Sequence, residues 1–116
     1  MAAAGEAVRA LILSFFLAHG YQPFQAEALS RNAWIETRWQ FCQISKSGRW
    51  LMQWAGQRRH DLAAYAGTTG CPPLQMQLEF ADIELKTIPA FACFWDAVDE
   101  RSALAALRRG FEHGHC

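Results

Sequence analysis

The chain has 116 residues, which is enough for one domain around a single hydrophobic core. Hydrophobic residues make up 52% of the chain and aromatic residues 13%, a composition that excludes a disordered segment. Eleven basic and eleven acidic residues cancel, so no net field favours nucleic acid or anionic lipid as a partner.

The first predicted element is a helix over residues 5–19. It contains the apolar run "ALILSFFLA" (residues 10–18), which is too short to span a bilayer. The run is a weak match to a signal peptide, because only Arg9 precedes it and Glu6 lies in the same flank. Gly20 supplies the left-handed end of the helix. We expect this helix to be apolar on nearly every side and therefore central.

A second helix is predicted to begin at Pro23, since proline suits the first helical turn, and to end near Trp39. The Ser- and Gly-containing segment that follows leaves room for a short β-hairpin within residues 42–54. Gly56 and Gly67 bracket a third helix, "QRRHDLAAYA".

The C-terminal half continues with helices. Pro72 and Pro73 open a fourth helix, a short helix covers residues 91–98, and Asp99 caps the last one. The residues expected to face inward from that last helix are Leu104, Leu107 and Phe111. The prediction is an all-α, mainly helical fold forming one domain over residues 1–116.

Four cysteines contain no C-x-x-C pair, so zinc-finger spacing is absent. They are Cys42, Cys71, Cys93 and Cys116. Two disulfides in any of three pairings and four free thiols are both compatible with the sequence. The terminal "HGHC" carries ligand atoms, but no acidic helix motif supports it, and we predict neither a metal nor another cofactor.

The most informative residue is Glu36. Leu29, Asn32, Ala33 and Glu36 follow helical spacing and share one face of the second helix, so Glu36 points toward packed protein from its last turn. Desolvation and the negative end of the helix dipole are both expected to raise its pKa. A carboxylic acid that stays protonated near neutral pH can protonate a glycosidic oxygen. The alternative is a solvated Glu36 at a frayed helix end, or one that is paired with a nearby arginine, Arg38 or Arg58.

Around this glutamate, "NAWIETRWQF" resembles the Asn-x-x-x-Glu-Ser-x-Phe segment of phage tail lysozyme domains, relatives of goose-type lysozymes and soluble lytic transglycosylases. Asn32, Glu36 and Thr37 fall on the asparagine, the catalytic glutamate and the hydroxyl residue. Further on, "WLMQWAGQRRHDLAAYA" resembles the second signature of these domains, Gly-Leu-x-Gln-Trp-x-Gly-x-Arg-x-x-Leu-x-x-Tyr. The matching residues are Leu51, Gln53, Trp54, Gly56, Arg58, Leu62 and Tyr65. Trp50 stands where the family has glycine, and Trp39 replaces its phenylalanine.

The resemblance extends over nearly the whole chain, since "LQMQLEFADIEL" and "GFEHG" are similar to later segments of such domains. It implies a lysozyme-like fold and an enzyme that cleaves the β-1,4 bond between N-acetylmuramic acid and N-acetylglucosamine in peptidoglycan. Glu36 would be the general acid. A tryptophan at position 50 would narrow the cleft or supply a stacking plane.

The resemblance also implies substrate-binding positions. They are Asn32, Thr37, Gln53, Trp54 and Tyr65. Gln53 would bond an acetamido group, Trp54 would stack on a sugar face, and the Tyr65 hydroxyl would hold Glu36. Each has a structural alternative, namely a backbone-capping amide, a core ring and a helix-packing residue.

Most glycosidases use two carboxylates, and the second is not evident here. Asp61, Glu79, Asp82 and Glu84 are available, but none lies in the loop expected to face Glu36. The one-carboxylate route of a lytic transglycosylase is therefore slightly favoured over hydrolysis.

Partners and location follow from the same resemblance. The expected partner is the peptidoglycan glycan strand, with no nucleic acid and no membrane span. The protein would act in the periplasm or cell wall as an endolysin or a virion-associated bacteriophage enzyme. In the absence of a clear signal peptide, a holin or virion proteins would deliver it.

Two other functions compete with the enzyme. A lysozyme-like module without turnover would only bind glycan or a virion protein, and Trp50 favours this alternative. A DNA-binding helix-turn-helix is the other, since "GYQPFQAEALSRNAW" has a turn-helix pattern. Only Arg31 and Arg38 would lie on its recognition helix, which is too little charge to neutralise many phosphates.

Overall fold

The computed structural model describes residues 2–116, with side chains from residue 4 onward. It confirms the all-α prediction, since this part of the chain holds six α-helices and one 3-10 turn. The helices are α1 (Ala2–Ala18), α2 (Pro23–Thr37), α3 (Gly56–Ala66), α4 (Leu74–Thr87), α5 (Ala92–Asp96) and α6 (Glu100–His113), with the 3-10 turn at Pro89–Phe91.

The helix ends lie where local residue chemistry places them. α2 begins with Pro23 in its first turn and ends at Arg38, which has a left-handed backbone (φ 56°). α3 ends at Gly67, also left-handed (φ 70°). At the start of α6, the Asp99 side chain accepts a hydrogen bond from the Ser102 backbone N–H at 2.8 Å.

The expectation that α1 is central is wrong. Its inner side buries Ile12, Phe15 and Phe16, but Leu11 and Leu17 are about half exposed on its outer side. The apolar run is simply wider than the face that the neighbouring helices cover. No helix of residues 2–116 is long and apolar enough to cross a membrane.

The central element is α2, which packs against α1 on one side and against α6 on another. Leu29, Asn32 and Ala33 are buried on it, as their shared face predicts. This packing brings the C-terminal turn of α2, with Glu36, close to the second half of α6.

The segment between α2 and α3 forms tight turns held by two isolated antiparallel bridges, Ile44–Arg49 and Arg49–Trp54. The predicted hairpin is thus reduced to single bridging residues, and no continuous strand forms within the described residues. Trp50 and Gln53 both have left-handed backbones, with φ of 70° and 55°. These turns lie beside the end of α2.

Two disulfides are formed, and they select one of the three pairings that the sequence left open. Cys42–Cys71 joins the turns after α2 to the segment before α4, with a Cα–Cα distance of 5.4 Å. Cys93–Cys116 joins α5 to the residues after α6, with a Cα–Cα distance of 5.5 Å.

Candidate active site

A groove of about 570 Å³ opens beside the C-terminal turn of α2. Four parts of the chain form it: the end of α2, the turns that follow, the start of α3 and the end of α6. Its lining residues are Ile35, Glu36, Ser47, Met52, Gln53, Ala55, Arg58, Arg108, Phe111 and Glu112. This size lies within the range of small-molecule binding sites.

Glu36 lies on the wall of this groove. Its side chain is 19% exposed, so the carboxyl is mostly removed from water but still reaches the groove. The prediction that Glu36 points toward packed protein from the last turn of its helix is therefore confirmed, and the structure adds that its carboxyl borders a groove. The aromatic neighbours Trp34 and Trp39 line a different, smaller cavity of about 170 Å³ instead.

The charge partner of Glu36 is Arg108, which neither of the expected pairings included. Arg108 Nη1 donates to Glu36 Oε1 at 3.4 Å, and its Nη2 donates to Glu112 one turn further along α6. Arg38 instead donates to backbone carbonyls at the end of its own helix, and Arg58 pairs with Glu84.

The pKa of Glu36 is raised above its ordinary value. Burial is the largest cause, because desolvation penalises the anion. The Arg108 guanidinium lowers this pKa, and the negative charge of Glu112 raises it. The raised pKa agrees with the expectation from the sequence. The opposing effect comes from Arg108 on α6, which the sequence did not predict to lie near Glu36.

Asn32 and Thr37 do not line the groove. Asn32 is buried, and its Nδ2 lies 3.4 Å from Met52 Sδ, while its Oδ1 accepts no hydrogen bond from the described residues. Thr37 is buried too, and its hydroxyl lies 3.0 Å from the Ala33 carbonyl and 3.1 Å from the Leu51 carbonyl. The predicted substrate-binding roles of both residues are wrong, because Asn32 is enclosed in the core beside Met52 and the Thr37 hydroxyl joins α2 to the following turns.

Gln53 lines the groove, but its side-chain amide forms hydrogen bonds within the turns between α2 and α3. Its Nε2 donates to the Trp50 carbonyl at 3.0 Å and its Oε1 accepts from the Ser45 hydroxyl. Its side chain therefore has little capacity left for an acetamido group, and the backbone-capping alternative describes it.

Trp54 is fully buried, so its predicted stacking on a sugar face is wrong. Its ring packs edge-on against Phe80, and its Nε1 donates to Glu84 Oε1 at 2.8 Å. Trp54 is a core residue, the alternative that the sequence left open.

The predicted contact between Tyr65 and Glu36 is also wrong. The Tyr65 hydroxyl donates to Glu79 Oε1 at 2.8 Å, and its side chain lies outside the groove on α3. The pair joins α3 to α4 at the surface and raises the pKa of Tyr65.

Trp50 neither narrows the groove nor offers a stacking plane within it. Its side chain is buried and borders a separate cavity with Arg59 and His60. Its backbone is left-handed (φ 70°), a conformation that glycine adopts more readily than other residues, so a glycine would fit this position without strain.

Three charged residues of the groove lining were not among the predicted site residues. Arg58 contributes a guanidinium held by two hydrogen bonds of 2.7 Å to Glu84, and it lies over the Phe111 ring at 4.6 Å. Arg108 and Glu112 stand one turn apart on α6, a spacing that is visible in the sequence. Their approach to α2 is a tertiary contact, and no local pattern predicts it.

The four carboxylates considered as a second acid all lie outside the groove lining. Asp61 is bonded by Gln57, and Glu79 by Tyr65. Asp82 accepts from Tyr21 at 2.6 Å. Glu112 is the second carboxylate of the groove, and Arg108 lies between it and Glu36.

The terminal "HGHC" is tied down by Cys116, whose sulfur is bonded to Cys93. Among residues 4–116, no three His, Cys, Asp or Glu side chains are grouped so that they could hold a metal ion.

Fold and groove together define a mainly helical domain with a mostly buried acid on the wall of an open groove. No protein-family model, curated protein or solved structure matches this chain.

Proposed function

We propose that this protein is a peptidoglycan-degrading enzyme that cleaves the β-1,4 bond between N-acetylmuramic acid and N-acetylglucosamine. The observation that carries the proposal is Glu36, a mostly buried carboxyl that reaches an open groove and has a raised pKa. The resemblance of "NAWIETRWQF" and "WLMQWAGQRRHDLAAYA" to phage tail lysozyme domains supports this substrate class.

In the proposed reaction Glu36 donates its proton to the oxygen of the leaving sugar as the glycosidic bond breaks. In the transglycosylase route, the C6 hydroxyl of the muramoyl residue attacks the anomeric carbon, and the Glu36 carboxylate takes the proton of that hydroxyl. The glutamate is then protonated again. This route needs one carboxylate, and we favour it because the other groove carboxylate, Glu112, is already committed to Arg108.

The two disulfides support action outside a reducing cytoplasm, where such bonds persist and where peptidoglycan lies. We propose delivery to the periplasm or cell wall by a bacteriophage or prophage, with a holin or a virion protein as the transport partner.

The decisive test digests purified sacculi and identifies the released muropeptides by mass spectrometry. We expect 1,6-anhydromuramoyl ends from the wild type, and we expect Glu36→Gln to lower the rate by about 10²–10⁴-fold, as loss of a general acid does. Glu27→Gln is the matched control, since Glu27 lies on the same helix in an ion pair with Arg9 at 3.3 Å and outside the groove. Reducing ends would identify a hydrolase instead. Equal rates in wild type and Glu36→Gln would contradict the proposed role of Glu36.

A glycan-binding module without turnover is the second candidate function. The Arg108–Glu36 ion pair favours it, since an arginine stabilises the ionised form that cannot donate a proton. Co-sedimentation with sacculi that releases no muropeptides, in wild type and Glu36→Gln alike, would support this candidate against the enzyme.

A further inference from the structure

Arg108 lies between two carboxylates on the wall of the groove. One guanidinium nitrogen contacts Glu36 Oε1 at 3.4 Å, a long distance for an ion pair, and the other donates to Glu112. Glu36 is the least exposed of the three side chains at 19%, against 32% for Arg108 and 44% for Glu112. The arginine is thus held closer to the more exposed acid than to the buried one. His113, the next residue of α6, also faces Glu112, with 3.9 Å between its Nε2 and Glu112 Oε2.

Outside α6, the charged side chains near the groove are held by other partners. From α3, Arg58 faces the groove, but Glu84 holds it with two hydrogen bonds of 2.7 Å. The turns between α2 and α3 contribute only uncharged lining residues. At the end of α2, the Arg38 guanidinium donates to the Trp34 and Ile35 carbonyls at 2.8 and 3.0 Å.

We propose, on the basis of the function proposed above, that Glu112 is a positioning residue that draws the Arg108 guanidinium away from Glu36 and so allows Glu36 to keep its proton. An arginine committed to Glu36 alone would hold that carboxyl ionised and unable to act as an acid. Glu112 therefore acts through Arg108 and does not contact the bond that breaks.

The proposal predicts opposite effects for two substitutions in the groove. Glu112→Gln removes a negative charge and frees Arg108 for Glu36, so the pKa of Glu36 falls. Arg108→Gln removes the positive charge, so that pKa rises. Because the acid must be protonated, the alkaline limb of the kcat/KM–pH profile moves to lower pH in Glu112→Gln and to higher pH in Arg108→Gln. On that limb, each pH unit of movement changes activity roughly tenfold.

The experiment pairs these pH profiles with a carboxyl ¹³C NMR titration of Glu36, which reports its protonation whether or not the protein turns over substrate. Glu100→Gln, at the opposite end of α6 and outside the groove, is the control and should shift neither measurement. Glu112→Asp should shift both measurements less than Glu112→Gln does, since it keeps the charge.

Two results would overturn the proposal. One is a Glu36 titration that moves in the same direction, or not at all, in Glu112→Gln and Arg108→Gln. The other is loss of turnover at every pH in Glu112→Gln with an unchanged Glu36 titration, which would make Glu112 a catalytic residue. If the wild type cleaves no glycan, the proposed function fails, but opposite shifts in the titration would still support the role of Glu112.

Discussion

At the scale of single residues, Glu84 connects the core to the groove. Its side chain is only 4% exposed, and three hydrogen bonds satisfy it: two from Arg58 and one from the buried Trp54 ring. A buried carboxylate is tolerated because such partners replace its water. Arg58 also extends to the groove wall, so the same ion pair fixes one side of the candidate site.

Replacing Arg58 should therefore cost more stability than replacing Glu84. Arg58→Leu leaves a buried, unpaired carboxylate, and we expect the free energy of unfolding to fall by about 3 kcal/mol. Glu84→Gln keeps a partner for Trp54 Nε1 and leaves an arginine that is partly exposed, so its loss should be smaller. Urea denaturation measures the free energy of unfolding of both variants. Equal losses, or a more stable Arg58→Leu, would contradict this account of the ion pair.

How far the site could be predicted differs from residue to residue. The position of Glu36 is predictable because helical spacing alone puts it on the face of Leu29 and Ala33. For Trp54 the resemblance implies a position in the groove, and the alternative of a core ring is the one observed, since a single sequence does not tell which tryptophan fills the core. The Arg108 contact spans 72 residues and depends on how α2 and α6 pack.

At the scale of elements, α6 is the helix that determines the shape of the groove. It packs against α2, α5 and the 3-10 turn, and it carries Arg108, Phe111 and Glu112 to the site. Its close approach to the 3-10 turn depends on Gly110: a Cβ there would lie 2.5 Å from the Phe91 ring.

Gly110→Ala should destabilise the protein although alanine favours helices. The added methyl group must displace the buried Phe91 ring, and overpacking of this kind costs about 1–3 kcal/mol, against a helix-propensity gain of about 1 kcal/mol. The matched control is Ala105→Gly at an exposed position of α6, which should lose about 1 kcal/mol from propensity alone. Thermal unfolding monitored by circular dichroism compares the two variants with the wild type. A Gly110→Ala variant more stable than wild type would show that α6 has room to move.

Much of the helical order could be predicted, because helix ends are set by neighbouring residues. Pro23, Gly67 and Asp99 each mark a helix end by backbone chemistry that acts locally, and the structure agrees at all three. The prediction that α1 is central is wrong because it depends on tertiary packing: an apolar run shows hydrophobicity but not how much of the helix its neighbours cover.

At the scale of the whole molecule, the two disulfides anchor two parts of the groove wall. Cys42–Cys71 ties the turns that supply Met52 and Gln53, and Cys93–Cys116 ties the chain just beyond Glu112. The sequence separations are 29 and 23 residues. Loops of such length restrict the unfolded chain enough for each bond to contribute about 3.5 kcal/mol by chain entropy.

Removing either bond should therefore lower the melting temperature by a similar amount, about 10 °C or more. The variants are the double substitutions Cys42→Ser/Cys71→Ser and Cys93→Ser/Cys116→Ser, compared by calorimetry without reductant. The melting temperature of the wild type in reductant should fall further than that of either variant, since the reduced protein loses both disulfides. If one double variant melts like the wild type, that bond does not constrain the unfolded chain. The groove wall on that side must then be held by packing alone, which for α6 means its contacts with α2 and the 3-10 turn.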